Sequence, residues 1–439
     1  MHLKISERLP QIKTLVQVFV YLCLFFTLSP FSTSSYAASY IANVTDVADG
    51  DSFDAREDGE AEDVRIRMLG INTNEPGICH ATDASDRLKE LIELQDVTLS
   101  ASDLNLTLGF GRPARFVDKG AMDIGKIMLE EGLAIPYPNE TDRSRNELYL
   151  AVAAVAQQAE IGIWDNTACG DGPSQSIPIE LQVSWDAAGD DSENINGEWV
   201  DINNLGGSSL SLTGWRLRDP STRFYEFENG VSVPAEGMLR VYVGEVPEGK
   251  AESATEKYWG LTSPIYTNEV GQGTFLLDPD NDIRAEFTYP CQFDCSDALV
   301  GVVSLFVNYD APGLDNDNPN GEWVDVINSS NSPINLYGYF LTSFYHFEKN
   351  HILPANGSIR VRVGGGTESA TELFAGRPKA LFANAGGSIA LSRSDNVLID
   401  EYTWPNNDPT PSDPPLPREG PCFPVPVGED VSAVVCVKS

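Results

Sequence analysis

The constraint that most limits what this chain can fold into is an internal repeat. Asn196-Gly-Glu-Trp-Val-Asp201 returns as Asn320-Gly-Glu-Trp-Val-Asp325, and Leu212-Thr-Gly-Trp215 as Leu336-Tyr-Gly-Tyr339. Phe224-Tyr-Glu-Phe-Glu228 is echoed by Phe344-Tyr-His-Phe-Glu348, and Leu239-Arg-Val-Tyr-Val-Gly244 by Ile359-Arg-Val-Arg-Val-Gly364. The loop Glu252-Ser-Ala-Thr-Glu256 recurs as Glu368-Ser-Ala-Thr-Glu372. Matched motifs in the same order mean two copies of one unit. Each copy is a series of short alternating runs parted by turn residues, the pattern of a β-sandwich of about 110 residues. The sandwiches are placed at 178–292 and 298–406, with a Pro-rich tail at 407–439 closed by Cys422 and Cys436.

Residues 1–38 read as a signal peptide: Lys4, Arg8 and Lys13, an apolar run from Leu15 to Leu28, then small residues suited to cleavage after Ala37 or Ala38. The expected product is secreted, extracellular or held at the cell surface. Cleavage removes Cys23 and leaves six of the seven cysteines in an oxidising compartment. Of the possible connectivities, domain placement favours Cys79 with Cys169, Cys291 with Cys295, and Cys422 with Cys436. The mature chain keeps only His80, His346 and His351, and no cysteine has the spacing of a zinc site. A formal charge of -36 favours a soluble monomer and opposes coating of polyanions. It leaves room for a nuclease, which needs only a local cationic clamp around one phosphate.

Residues 40–170 carry different patterning. Tyr40 to Leu69 alternates in short runs broken by Asp49-Gly50-Asp51 and Glu57-Asp58-Gly59, which is strand and tight-turn chemistry. Helical spacing predicts helices over Thr82–Leu94, Met122–Glu131 and Arg143–Ile161. The fold class that follows is multidomain and mainly β: an OB-like β-barrel with three helices, then two immunoglobulin-like β-sandwiches.

Two family resemblances refine this. The repeats, with Gly-Glu-Trp-Val-Asp, Leu-x-Gly-Trp or Tyr, and Arg-Val-x-Val-Gly in order, resemble the lamin-tail domain. The first domain resembles the staphylococcal nuclease (thermonuclease) family: Asp49-Gly50-Asp51, Arg67, Thr73 and Glu75, then Gly111-Arg112 through Gly132-Leu133-Ala134, and a closing Ile163-Trp164, fall in matching places. The resemblance implies a Ca²⁺ site at Asp51 with the Thr73 carbonyl and Asp49, hard oxygen donors for a hard cation. It also implies Glu75 as general base, and Arg67 and Arg112 as planar forks on the phosphate. DNA or RNA is then the substrate, cut to 3′-phosphates. Asn72 stands where the family has a second metal-binding Asp, which weakens the expected metal binding by one charge, and Asn74 replaces the family's Pro. Tyr137 lies near the place of a phosphate-facing tyrosine.

Between 40 and 166 there are 25 acidic and 11 basic residues, so long-range steering of nucleic acid is absent and substrate affinity is expected to be low. Asp315-Asn-Asp-Asn-Pro-Asn-Gly321 and Asp278-Pro-Asp-Asn-Asp282 read as turns, and Trp199, Trp215 and Trp323 as sandwich core. The leading expectation is a secreted calcium-dependent nuclease whose sandwiches tether it to substrate, cell envelope or polysaccharide. The competing ones are a non-catalytic binding protein with a degenerate nuclease domain, and a structural surface protein.

Overall fold

The computed structural model describes residues 38–170, 177–221, 223–348 and 350–404, and the backbone of strands Cys422–Pro426 and Ser432–Cys436. The expected signal peptide lies outside the described residues, as do the cysteine side chains of the tail, although Cys422 is in register with Cys436 across that hairpin. No helix of the described residues is long and apolar enough to cross a membrane.

The first domain is a closed five-stranded barrel. Strands β1 (Ala38–Val47), β2 (Ser52–Glu57) and β3 (Val64–Met68) form a meander, β1 pairs β5 (Asp96–Ala101), β5 pairs β7 (Arg112–Lys119), and β3 closes the ring on β7 in parallel. Short strands β4 (Gly70–Asn72), β6 (Thr107–Leu108), β8 (Met122–Asp123) and β9 (Ile135–Tyr137) complete it. Alternation places Val44, Phe53, Ile66, Met68, Leu99 and Val117 inside. The three helices are α1 (Ala81–Ile92), α2 (Ile124–Glu130) and α3 (Asn146–Gln158). Met122 and Asp123 fall out of the expected second helix because the Asp123 carboxylate caps it, accepting from the Lys126 amide at 3.0 Å. Arg143 and Ser144 likewise belong to a turn, in which the Asp142 side chain accepts from Ser144.

In the first sandwich, β10 (Ile179–Ser184), β11 (Trp199–Asn204), the later β16 (Met238–Tyr242) and β17 (Glu256–Tyr258) form one sheet. The facing sheet holds β13 (Arg216–Arg218), β14 (Phe224–Glu226), β18 (Gln272–Leu277) and β19 (Ile283–Tyr289), and a separate ribbon of β12 (Leu210–Ser211) with β15 (Ser232–Val233) lies against β11 and β16. The second sandwich repeats the plan strand for strand over Val303–Trp404.

The repeated motifs now have physical roles. Asp201 and Arg240 are cross-strand partners joined by two bonds of 2.6 and 2.8 Å, and the same guanidinium lies 3.6 Å from the Trp199 ring centroid. Asp325, Arg360 and Trp323 repeat this, with a ring distance of 3.5 Å. Trp215 is wholly buried between the sheets, as expected of core. Trp199 and Trp323 differ: they share the strand face opposite Val200 and Val324 and are buried beneath arginines. The motif glutamate also has a task. Glu198 accepts from the Ile265 and Tyr266 amides, and Glu322 from those of Leu381 and Phe382.

The three domains pack head to tail. All six residues of β18 are buried, because Leu276 faces the sandwich core while Phe275 and Leu277 face the barrel. Phe275, Leu277 and Ile283 join the barrel's apolar cluster, with the Phe275 ring 5.9 Å from that of Trp164. The Cys79–Cys169 disulfide fixes the end of the barrel, and the Cys169 amide donates to Asp282 at 2.9 Å. A second disulfide joins Cys291 to Cys295. The second sandwich docks on the first in the same sense: Phe340 enters the first sandwich's core, 5.4 Å from Trp185, and the Tyr337 hydroxyl donates to Asp201.

Phe275→Ala is therefore expected to lower stability by about 3–5 kcal/mol in denaturant unfolding and to loosen the barrel as well as the sandwich. Burial pushes the Glu198 carboxyl up to about 8. A folded-state value raised above the unfolded one gives a stability contribution present below about pH 4.5 and lost as the pH rises through about 8. Glu198→Gln should match the native protein near pH 5 and exceed it by roughly 2–4 kcal/mol at pH 9.

Candidate active site

A small cleft lies on the barrel beside the first sandwich, a cavity of about 270 Å³ lined by Asp49, Asp51, Ser52, Arg67, Asn72, Glu75, Arg112, Tyr137 and Ser221 among others. Five separate segments supply these residues. Asp49 and Asp51 come from the β1–β2 turn, where the Asp51 amide donates to the Asp49 carboxylate at 3.0 Å. Gly50 between them is required by close approach: a Cβ there would lie 2.7 Å from the Ala84 Cβ and 2.8 Å from the Thr73 Oγ1. That packing brings α1 and the segment after β4 against the turn.

Asp51 is the centre of the polar network. Its Oδ2 accepts from the Thr73 amide at 2.8 Å and the Thr73 hydroxyl at 3.2 Å, and pairs with Arg67 at 3.0 Å; its Oδ1 accepts from the Ser52 hydroxyl. Burial pushes its carboxyl up from the usual range, against the pull of the Arg67 guanidinium. Arg67 is turned inward, donating to the carbonyls of Met68 and Ile71 and to Asn72 Oδ1 at 2.5 Å. Arg112 is held less tightly, by the Gly109 carbonyl and the Ser52 hydroxyl. Glu75 is exposed at the rim. Phe110 stands fully exposed beside it, 6.0 Å from the Arg112 guanidinium carbon.

Asp51 and Asp49 are hard oxygen donors of the kind a divalent cation takes, two carboxylates in one turn, with Asp51 already paired to Arg67. Thr73 is adjacent through its bonds to Asp51. Asn72 is not placed as a donor, since its Oδ1 accepts from Arg67 and its Nδ2 donates to the Pro220 carbonyl at 2.8 Å. Among the described residues, the one trio of metal-type side chains within 4.8 Å is Cys79, His80 and Cys169, and its two sulfurs are joined in the disulfide.

Sequence reasoning on the barrel alone missed the residues that the first sandwich brings here. Arg218 donates to Asn74 Oδ1 at 2.7 Å, while Asn74 donates to the Cys79 carbonyl. Burial pushes the Arg218 guanidinium down to about 10, opposed by Asp219, Asp51 and Glu75. A signal existed in the repeat. Six residues separate Leu217 from Phe224, while two separate Leu341 from Phe344, so the first copy carries a four-residue insertion at this loop.

A helix-decorated closed barrel followed by two sandwiches of one topology defines a modular protein with its polar cleft on the barrel. Residues 179–291 and 305–406 each match the Lamin Tail Domain family, so the chain carries two lamin tail domains. No curated protein matches the chain.

The geometry separates the two arginines of the cleft. Arg67→Ala leaves Asp51 buried without its ion-pair partner and is expected to lower stability by about 3–5 kcal/mol. Arg112→Ala should change it by less than about 1 kcal/mol, and denaturant unfolding of the two variants checks the contrast.

Proposed function

We propose that this is a secreted calcium-dependent nuclease of the thermonuclease type, acting on DNA, RNA or both as a monomer. The observation that carries the reading is the convergence of Asp49, Asp51, Arg67, Glu75 and Arg112 on one cavity from distant points of the chain. In a barrel with 25 acidic and 11 basic residues, two arginines beside three carboxylates in one cleft are a local arrangement that the overall charge does not supply.

In this proposal Arg112 forks onto the nonbridging oxygens of the scissile phosphate, with Arg67 beneath it holding Asp51 in place. Glu75 accepts a proton from the attacking water, whose oxygen bonds to phosphorus as the P–O5′ bond breaks, and the departing O5′ takes a proton from solvent, leaving a 3′-phosphate and a 5′-hydroxyl. Asp51 and Asp49, with the Thr73 carbonyl, would hold the cation, which when bound supplies charge neutralisation on the phosphate. Phe110 offers an aromatic face to a base next to that phosphate. The lamin tail domains are proposed to contact substrate, envelope or polysaccharide. A second reading, a non-catalytic nucleic-acid binder, is favoured by one observation: Arg67 already donates to Met68, Ile71, Asn72 and Asp51.

The test uses the chain from residue 38 onward with single-stranded and duplex DNA and with RNA, in millimolar Ca²⁺ or with chelator. Calcium-dependent cleavage is expected, reduced about 10²–10⁴-fold by Glu75→Ala and about 10²–10³-fold by Arg112→Ala with melting unchanged. Binding without cleavage would establish the second reading instead.

A further inference from the structure

Asn72 and Asn74, which depart from the thermonuclease pattern, both bond to the first lamin tail domain beside the cleft. Asn72 gives its amide hydrogen to the Pro220 carbonyl, and Asn74 gives its carbonyl oxygen to Arg218. An Asp at 72 would set a carboxylate against a carbonyl oxygen, with no donor between them. A Pro at 74 would leave Arg218 without that acceptor. The neutral amides therefore suit an interdomain latch on the turn that ends in Glu75.

The partner loop is built to reach there. Its four extra residues relative to the second repeat fall between β13 and β14, and Arg218 to Pro220 are buried against the barrel. Asp219 accepts from the Ser221 amide and hydroxyl, at 2.9 and 2.5 Å, which sets the loop's curvature. Arg218 donates to the Ser221 carbonyl at 3.1 Å, so the loop is braced at both ends. Ser221 itself lines the cleft opposite the carboxylates. In the second sandwich the shorter equivalent makes a simpler contact with the domain before it, the Ser343 amide donating to Asp186 at 3.1 Å. Docking by this loop is common to both repeats; the reach into a polar cleft belongs to the first.

We propose that the first lamin tail domain is a wall of the barrel's active site, and that its Arg218–Ser221 loop, bonded to Asn72 and Asn74, positions the turn carrying Glu75. The assignment rests on the nuclease reading for its effect on turnover, though not for the latch itself. Arg218 and Asn74 are positioning residues: Arg218 acts on Asn74, and Asn74 ties the segment before Glu75 to the Cys79 carbonyl. Without the loop, the turn keeps the Thr73 bonds to Asp51 but loses both of its contacts on the sandwich side.

The experiment takes the chain from residue 38 onward and replaces residues 218–223 with Thr-Ser, the link that already joins Leu341 to Phe344 in a folded copy of the same domain. Asn74→Ala and Asn74→Asp accompany it, the second keeping the acceptor for Arg218 while giving up the donor to the Cys79 carbonyl. Two quantities are read: amide exchange at Thr73 and Ile78, whose amides bond to Asp51 and to the Glu75 carbonyl, and kcat, KM and the pH profile of cleavage in Ca²⁺. Exchange at least tenfold faster is expected in the loop replacement and in Asn74→Ala. The fall in kcat should be tenfold or more, with KM little changed, and smaller in Asn74→Asp, which keeps the acceptor for Arg218, than in Asn74→Ala. Unchanged exchange and unchanged kcat would overturn the proposal, and so would a rise in kcat, which would make the loop a plug. If the native chain does not cleave at all, the nuclease reading falls, while the exchange measurement still decides whether the latch exists.

Discussion

The structure depends on one strand with no free face. β18 must satisfy the sandwich through Leu276 and the barrel through Phe275 and Leu277, and its burial on both sides turns barrel and first sandwich into one body. A sandwich sheet facing water on its outer side would alternate apolar with polar residues. The equivalent strand of the second copy, Gly387–Arg393, has Ala390 and Ser392 where Phe275 and Leu277 stand in the first, and there the apolar contact with the neighbouring domain comes from Phe340, opposite Ser392. Both repeats thus carry a domain on that face, the first through Phe275 and Leu277 and the second through Phe340. Barrel and first sandwich are expected to unfold together, because each lacks part of its core without the other.

Much of the fold was legible because its determinants are local or repeated. The barrel's strands and helices follow from alternation and helical spacing, and boundary errors arose where side chains took over, as at Asp123. The repeat gave the sandwiches outright. It could not say why Trp199 is invariant between copies, since a tryptophan beneath a guanidinium and one between two sheets leave the same mark in sequence. Only the cross-strand register of Asp201 with Arg240 separates the cases.

The cleft was legible only from the barrel's side. Asp51, Arg67, Glu75 and Arg112 could be named from their spacing, but the state of each donor could not. Asn72 reads as a weakened metal ligand until its amide is seen between Arg67 and Pro220, a residue 148 positions away. Asn74 reads as a loosened turn until Arg218 is seen bracing it. What a one-domain comparison counts as lost ligand and lost rigidity is, in the whole chain, exchanged for contacts from another domain. The clue was a length difference between repeats, which has meaning only after the repeats are aligned with each other.

Electrostatics gives the same conclusion independently of the hydrogen bonds. A cleft holding Asp49, Asp51 and Glu75 in a domain with so large an acidic excess would repel a phosphodiester, and the barrel contributes only Arg67 and Arg112 against them. Arg67 is largely spent on Asp51 and on backbone carbonyls. Arg218 adds a third cation from outside the barrel, desolvated and therefore felt more strongly by Asp51 and Glu75 than a surface charge would be. Burying a guanidinium is unfavourable unless its donors are satisfied and counter-charges are near. Asn74, the Ser221 carbonyl and Asp219 meet that need, and each of them lies in the interface. The third positive charge beside this acidic cleft is thus available only while the two domains are docked, which ties part of the local field at the cleft to the apolar contact made by Phe275.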